Sequence, residues 1–263
     1  MPDKLTALIL GDVFGSSGIR ALFVGLKSLI QKYKADLVVV NGENADGLGI
    51  TIEQANKLFA MGVDVISSGN HIWHHKEINT MLDSDQLLLR PANYPPGVPG
   101  KGSCLLERKG SLIAVLNLQG RDSMPSIDCP FRIGKEQVRK LRERTPVVIV
   151  DFHAENSEEK ESLSFFLDGM VSAVVGTHTH VQSADEKILP GGTAYITDIG
   201  MTGPEDSVIG STKEVSVQRS LSQMPLKMEV SENSAIISGV CIEIDGKSGK
   251  ALSIERVRVQ SLV

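Results

Sequence analysis

The sequence has little cysteine and no long apolar run. Its 263 residues include Cys104, Cys129 and Cys241, far apart and without a Cys-x-x-Cys spacing. This argues against a disulfide framework or a thiolate metal site, and favours reduced thiols. No apolar stretch approaches the roughly 20 residues that span a bilayer, and Met1-Pro2-Asp3-Lys4 opens no signal peptide. We therefore expect a cytoplasmic protein without a membrane partner.

The sequence also lacks an excess of basic residues. Its net charge of -5 argues against attachment to nucleic acid through a general basic surface. A nucleotide substrate remains compatible with this charge, because a bound divalent metal supplies local positive charge. Hydrophobic residues at 41% and charged residues at 22% are ordinary for a globular protein. The length predicts one domain over residues 1–263.

Short apolar runs alternate with helical patterns along most of the chain. Thr51 with Gln54 forms a capping box that predicts the start of one helix. After the last of these units, residues 227–259 read as antiparallel strands with a turn at Asp245-Gly246. The order predicts an α/β fold in which inner sheets are covered by helices. The predicted buried strands are residues 5–10, 37–40, 63–67, 112–118, 146–150 and 172–175.

Polar residues that can bind metals follow five of these apolar runs. The carboxyl ends of strands converge at one edge of an α/β sheet, so we expect these side chains to meet. His178 and His180 lie two residues apart, and alternation along a strand would point both the same way. Surface histidines and scattered polar caps are the alternatives. The candidate ligands are Asp12, Glu43, Asn44, Asn70, His153, His178 and His180.

Carboxylate, amide and imidazole groups form a mixed oxygen and nitrogen set that suits iron, manganese or zinc. Seven such groups are too many for one ion and suit two. Glu43 has a side chain long enough to bridge both ions. A two-metal site activates a bridging hydroxide and stabilises an in-line displacement at phosphorus. The residues therefore predict phosphoester hydrolysis.

The ordered motifs resemble those of calcineurin-like metallophosphoesterases and, more narrowly, the bacterial YmdB family. Asp12 is followed by Val13-Phe14 instead of the Asp-x-His of the wider superfamily, and Glu43 replaces a bridging aspartate. Both departures match the narrower family. The motifs are Gly11-Asp12-Val13-Phe14-Gly15, Asn41-Gly42-Glu43-Asn44-Ala45, Gly69-Asn70-His71-Ile72-Trp73, Arg90-Pro91-Ala92-Asn93-Tyr94-Pro95 and Thr177-His178-Thr179-His180-Val181-Gln182.

The resemblance implies a four-layer αββα sandwich and a di-iron or similar dimetal centre. It implies a first metal held by Asp12, Glu43, Asn44 and His180. Glu43 would be shared with a second metal, which Asn70, His153 and His178 complete. His71 resembles the family's general acid, which protonates the leaving oxygen. A buried histidine bonded to a loop carbonyl is the alternative for His71.

The resemblance also implies phosphodiesterase activity on 2′,3′-cyclic nucleotides and a role in bacterial regulation that touches RNA turnover. Assembly into a homo-oligomer is left open. One rival is a broader phosphomonoesterase or phosphodiesterase on the same scaffold. Another is a regulatory protein that binds metal but acts through a partner.

Several other residues carry weaker predictions. We expect His74 and His75 to be solvated, and Trp73 to pack rather than to stack on a base. Arg121 and the loop 90–100 are candidates for the rim of a substrate pocket. Asp151 and Asp185 are candidates for orienting histidines, with a surface position as the equal alternative.

Overall fold

The computed structural model describes residues 4–261 as two β-sheets flanked by helices. The helices are α1 (Gly15–Tyr33), α2 (Ile52–Ala60), α3 (Ile78–Ser84), α4 (Pro130–Arg142), α5 (Ser157–Leu167) and α6 (Lys213–Ser222). The strands are β1 (Lys4–Leu10), β2 (Asp12–Val13), β3 (Leu37–Asn41), β4 (Val65–Ser67), β5 (Ser103–Arg108), β6 (Ser111–Gln119), β7 (Val148–His153), β8 (Ala173–Thr177), β9 (Lys187–Ile188), β10 (Ala194–Ile196), β11 (Met201–Pro204), β12 (Ala235–Asp245) and β13 (Ala251–Gln260).

Each sheet combines parallel and antiparallel strands. In the first sheet, in the order β2-β11-β12-β1-β3-β4, the long strand β12 runs antiparallel to β1, and β13 pairs with β12. In the second, ordered β5-β6-β7-β8-β10-β9, the strands β6, β7, β8 and β10 are parallel. The carboxyl ends of β1, β3 and β4 therefore lie at one edge of the first sheet, and those of β7 and β8 at one edge of the second.

Three separate apolar clusters divide the molecule into four layers. Leu8 and Leu10 of β1 pack with helices α1 to α3, whereas Ile9, on the opposite face of the strand, packs between the sheets. Val150 of β7 packs with α4 and α5, and Ile149 faces the first sheet. Strands buried on both faces need continuous apolar sequence, which the predicted runs supply. The predicted αββα sandwich is confirmed.

The local predictions are confirmed where turn and cap chemistry is strong. Thr51 and Gln54 form the capping box that begins α2, and Asp245 ends β12 before the turn to β13. The sequence patterns did not indicate α6. Helix α6 buries only Ser216, so it lacks the apolar stripe by which a surface helix is recognised.

The described residues 4–261 include no helix that is both long and apolar enough to cross a bilayer. The residues Met1, Pro2 and Asp3, part of the argument against a signal peptide, lie outside that range.

Two glycines allow the backbone beside the site strands to pack closely. A Cβ on Gly176 of β8 would lie 1.8 Å from the carbonyl oxygen of Thr197. A Cβ on Gly11 would lie 1.7 Å from the carbonyl oxygen of Gly200. Both distances are far below van der Waals contact, and backbone cannot yield as a side chain can. The segment 197–200 is therefore held against both sheets.

Gly176→Ala should destabilise the protein by about 1–3 kcal/mol, because the added methyl overpacks rigid backbone. For a chain of this size each kcal/mol corresponds to roughly 2–4 °C in the unfolding midpoint, which a thermal melt followed by circular dichroism would measure. Gly25→Ala in α1 is the matched control, since its Cβ would meet only the flexible Cδ1 of Ile237 at 2.6 Å. Equal melting of the two variants would contradict this account.

Candidate metal centre

The predicted ligands converge at the carboxyl ends of the two sheets. Asp12 begins β2 immediately after β1, and His153 ends β7. The remaining candidates lie in the loops that follow β3, β4 and β8. A cleft of about 260 Å³ is lined by four of the candidates, Glu43, Asn44, His178 and His180, whereas Asp12, Asn70 and His153 are not among its lining residues. The cleft is lined by Phe14, Glu43, Asn44, Leu48, His71, Glu155, His178, Thr179, His180, Ile209 and Met228.

Glu43 lies at the centre of this arrangement and is fully buried. Its Oε2 atom is 3.0 Å from His153 Nε2, and its Oε1 atom accepts a hydrogen bond of 2.8 Å from the amide of Asn44. The two carboxylate oxygens thus face two groups of donors. Gly69 permits the close approach, since a Cβ there would lie 2.2 Å from the His153 ring and 2.3 Å from Glu43.

The potential ligand atoms fall into two groups that share Glu43. One contains Glu43, His153 and His178, and the other contains Asp12, Glu43 and His180. Within each group the ligand atoms lie within 4.8 Å of one another. This division matches a bridging carboxylate between two cations.

Each of the three histidines is anchored through one ring nitrogen and presents the other to the cluster. His153 Nδ1 donates to Thr177 Oγ1 at 2.9 Å, and His178 Nε2 lies 3.1 Å from Glu155 Oε2. His180 Nδ1 donates to the carbonyl oxygen of Ile209 at 3.0 Å. Such outer partners fix the tautomer and ring orientation of metal-binding histidines. The inner nitrogen of His153 faces Glu43 Oε2, and the inner nitrogen of His178 lies 3.0 Å from His153 Nε2.

The histidines reach the cluster by a route that differs from the predicted one. Strand β8 ends at Thr177, and His178 and His180 have φ angles of 102° and 65°. The predicted cause of their convergence, alternation along a strand, is therefore wrong. Both residues lie beyond the strand, and their positive φ angles direct both rings toward the cluster. Asp198 stabilises this turn by accepting hydrogen bonds from the backbone N–H and hydroxyl of Thr179, at 3.1 and 2.9 Å.

A buried ion pair stabilises the turn that carries His178 and His180. Lys160 of α5 donates to Asp198 at 2.8 Å, and both side chains are almost completely buried. A buried carboxylate without this partner would carry an uncompensated charge. The helix α5 thus fixes the backbone that carries the two histidines.

Asp151 orients His153 through a hydroxyl. It accepts a 2.8 Å hydrogen bond from Thr177 Oγ1, so the same hydroxyl must accept from His153 Nδ1. Asp151 also accepts from the amide of Asn41 at 2.9 Å and from Ser67. It is 1% exposed, so the alternative of a surface carboxylate is wrong.

The chemistry of the cluster fits divalent cations. Asp12 Oδ1 and Asn70 Oδ1 are buried oxygens without a hydrogen-bond partner among the described residues. Such an oxygen is costly to bury unless it binds something else. Together with the shared Glu43 and the inner histidine nitrogens, these oxygens form the mixed donor set expected for iron, manganese or zinc.

Burial and neighbouring charges shift the protonation equilibria of these groups. Burial raises the pKa of Asp12 to about 6. Burial also favours neutral Glu43, but His153 outweighs it and holds the pKa of Glu43 well below its usual range. Burial favours neutral His153, yet Glu43 raises the pKa of His153 to about 9. Burial and His153 lower the pKa of His178 to about 3. Since a metal ligand must be deprotonated, a cation would displace the proton of His153.

His71 lies beside the cluster and lines the cleft. Its Nδ1 atom is 2.9 Å from Asn44 Oδ1 and 3.2 Å from Glu43 Oε1. The alternative, a buried histidine bonded to a loop carbonyl, does not describe this position, because the ring is partly exposed and its partners are side chains. The amide nitrogen of Asn44 faces Glu43 and His180.

The weaker predictions have mixed outcomes. His74 is exposed as expected, whereas His75 lies 3.0 Å from Asp46. Trp73 packs edge-on against Tyr94. Asp185 accepts from Ser183 and Thr197 and bonds to no histidine, so its predicted role is wrong. Arg121 lines a different cleft, and the loop 90–100 contributes no lining residue to the metal cleft.

Four residues of the site escaped the sequence analysis: Glu155, Thr177, Asp198 and Ile209. Thr177 lies in one of the motifs quoted from the sequence, but the roles of Thr177 and Asp198 depend on contacts that are distant in sequence. Glu155 follows His153 by two residues, and that spacing was a usable signal. No sequence signal pointed to Ile209, since its backbone oxygen, not its side chain, accepts the hydrogen bond from His180.

Thr177→Val should weaken metal binding by about 10–100-fold, because His153 loses the acceptor that fixes its ring. Calorimetric titration of the metal-depleted protein with Mn²⁺ would measure the affinity. Thr177→Ser keeps the hydroxyl and should bind nearly as tightly as the unmodified protein. If the valine and serine variants bind Mn²⁺ equally, the hydroxyl does not orient His153.

Comparisons with known proteins agree with this geometry. The family described as "YmdB-like protein" matches residues 8–257. A 2′,3′-cyclic-nucleotide 2′-phosphodiesterase of Bacillus subtilis is 45% identical over 253 residues, which cover 96% of each chain.

Two crystal structures have the same fold. A hypothetical protein from Thermus thermophilus superposes with a TM-score of 0.92 at 38% identity, covering 98% of this chain and 100% of the other. A structure described as a novel phosphatase from Mycoplasma pneumoniae also gives 0.92, at 36% identity, covering 99% and 95%. These relatives confirm the expectation that the chain is a phosphoesterase. The chain belongs to the YmdB-like family.

Proposed function

We propose that this chain is a metal-dependent phosphodiesterase that opens 2′,3′-cyclic nucleotides to phosphomonoesters. The observation that carries the proposal is the division of the ligand atoms into two groups that share Glu43. The activity in the printed name of the Bacillus subtilis relative, 45% identical over nearly its whole length, supports the substrate class.

The proposed ligand assignment follows the two groups. Asp12, Asn44 and His180 would hold one cation, and Asn70, His153 and His178 the other, with Glu43 between them. Iron is the proposed metal, with manganese or zinc as alternatives. The unpartnered oxygens of Asp12 and Asn70 support their inclusion.

Asn44 can join the first group by a half-turn of its amide. This exchanges the nitrogen and oxygen, and the oxygen then lies among Glu43 Oε1 and His180 Nε2, where only a cation relieves the repulsion. The Nδ1–H of His71 would then face Glu43 Oε1, 3.2 Å away, as its remaining acceptor. Amide orientation follows from the hydrogen-bond network, and a cation reverses the preference.

Two such cations, when bound, would activate water for attack and would neutralise charge on the phosphoryl oxygens. The protein holds the substrate phosphate in the cleft beside His71. As an imidazolium, His71 would keep its Nδ1 proton facing Glu43 and give its Nε2 proton to the departing ribose oxygen, which leaves a neutral imidazole. Glu43, 3.2 Å away, keeps the imidazole oriented.

Two rival functions remain distinct from this proposal. A broader phosphomonoesterase or phosphodiesterase would use the same cleft, and the Mycoplasma pneumoniae structure is described as a phosphatase. A regulatory metal-binding protein would need a partner. The acid at His71 and the complete ligand set favour an enzyme. The RNA-related role, homo-oligomer formation and the single domain stay predictions.

Turnover of 2′,3′-cyclic AMP should exceed turnover of 3′,5′-cyclic AMP and of adenosine 3′-monophosphate. Initial rates with the Mn²⁺- or Fe²⁺-loaded protein, followed by chromatography of the products, would measure this. Glu43→Gln is the control for the metal site and should abolish turnover. Faster hydrolysis of the monophosphate would point to the phosphomonoesterase. An inactive Glu43→Gln protein that keeps its full cellular role would point to the regulatory rival.

His71→Ala should retain both metals and lose about 10²–10⁴-fold in kcat, the usual contribution of a positioned general acid. Metal content by mass spectrometry and steady-state rates would be measured together. The exposed neighbour His74 gives the matched control, His74→Ala, with unchanged rates. Loss of metal from His71→Ala would instead identify His71 as a ligand.

A further inference from the structure

The turn at residues 208–211 holds a β-branched side chain in left-handed backbone. Ile209 has φ 48° and Gly210 φ 102°, and Val208 and Ser211 exchange backbone hydrogen bonds of 2.9 and 3.0 Å. Two central residues with positive φ define a type I′ turn, which prefers Asn, Asp or Gly at both positions. Isoleucine at the first position carries a conformational cost.

Contacts on several sides hold this turn in place. A Cβ on Gly210 would lie 2.6 Å from the ring of Phe14, so the turn packs directly on that ring. Ser231 N–H donates to the Gly210 carbonyl at 2.9 Å, and Gly210 N–H donates to Ser207 Oγ at 3.0 Å. The ring of Phe14 meets His180 edge-on, with centroids 5.4 Å apart.

Ile209 contacts the site through both its backbone and its side chain. Its carbonyl oxygen accepts from His180 Nδ1 at 3.0 Å. Its side chain is 52% exposed and lines the cleft together with Leu48 and Met228. Met228 lies near the turn because the neighbouring Glu229 carbonyl accepts from Thr212 N–H at 2.9 Å. Strained backbone of this kind concentrates at functional sites.

We propose that Ile209 is a substrate-positioning residue that provides, with Leu48 and Met228, an apolar wall for the nucleoside part of the substrate. The proposal rests on the proposed function, which places the phosphate at the polar, histidine side of the cleft. The base is flat and largely apolar on its faces, and burying it against these side chains is favourable. Asparagine at this position would lower the conformational cost but would remove the wall.

Three variants separate strain from substrate contact. Ile209→Ala and Ile209→Asn both remove the aliphatic side chain, but asparagine tolerates left-handed backbone and alanine does not. Ile209→Val keeps both the strain and an apolar surface. Val217→Ala, on the exposed side of α6 and outside the cleft, is the matched control.

The metal-loaded full chain is first compared by thermal unfolding. The asparagine variant should melt about 2–4 °C above the alanine variant, because it relieves the strain at the turn. Equal midpoints would overturn the argument that the backbone at this position is strained.

Steady-state kinetics then test the wall. For 2′,3′-cyclic AMP, KM should rise about three- to tenfold in both the alanine and asparagine variants, the loss of one or two apolar contacts. In both variants KM should change more than kcat, and the valine variant should show a smaller rise in KM than the alanine variant. Both constants of the Val217→Ala protein should stay within about twofold of the unmodified chain. For glycerol 1,2-cyclic phosphate, a cyclic phosphodiester without a base, KM should not change.

The possible failures are distinct. Unchanged KM for the cyclic nucleotide overturns the wall while the proposed function stands. An equal rise for the base-free substrate also overturns it, because Ile209 would then act through His180 alone. An unmodified chain that hydrolyses no 2′,3′-cyclic nucleotide overturns the proposed function, and the occupant assigned to the wall falls with it.

Discussion

The burial of two neighbouring carboxylates, Asp12 and Glu43, is the constraint on which the rest of the site depends. Both side chains are fully buried, and two negative charges withdrawn from water are strongly unfavourable unless positive charge lies beside them. His153 compensates Glu43 in part. A pair of bound cations would compensate the rest of the negative charge. The oxygens without a hydrogen-bond partner, Asp12 Oδ1 and Asn70 Oδ1, belong to the same cluster. The surrounding loops can be understood as the means of holding these two carboxylates in place.

The fold places these groups through its strands and fixes them through its loops. Parallel strands bring their carboxyl ends to a common edge, and the two packed sheets bring two such edges together. The final orientation comes from buried polar contacts: Asp151 acts through Thr177 on His153, and Lys160 with Asp198 holds the turn of His178 and His180. The rings are therefore preorganised by neighbours that do not themselves face the cleft.

The layers and the convergence of the candidate ligands could be predicted from sequence, because both depend on where apolar strands begin and end. Runs such as 37–40 are apolar on both faces of a strand, which requires cover on each side. The orientation of the histidines could not be predicted, since positive φ angles at His178 and His180 oppose the usual preference of these residues. Asp185 and Asp151 looked equivalent in sequence, yet only the second is buried beside a histidine. Contacts between residues distant in sequence decide such cases.

The first sheet and its loops contribute Asp12, Glu43, Asn44 and Asn70, and the second contributes the three histidines. A cation bound here is therefore a non-covalent cross-link between two layers that otherwise adhere through their apolar core. Ligand binding stabilises a folded chain by mass action, so metal binding at this site would also stabilise the packing of the two sheets. A nascent chain whose second sheet has not docked possesses only half of the chelating set. Retention of the proposed cations would therefore require that both sheets have docked.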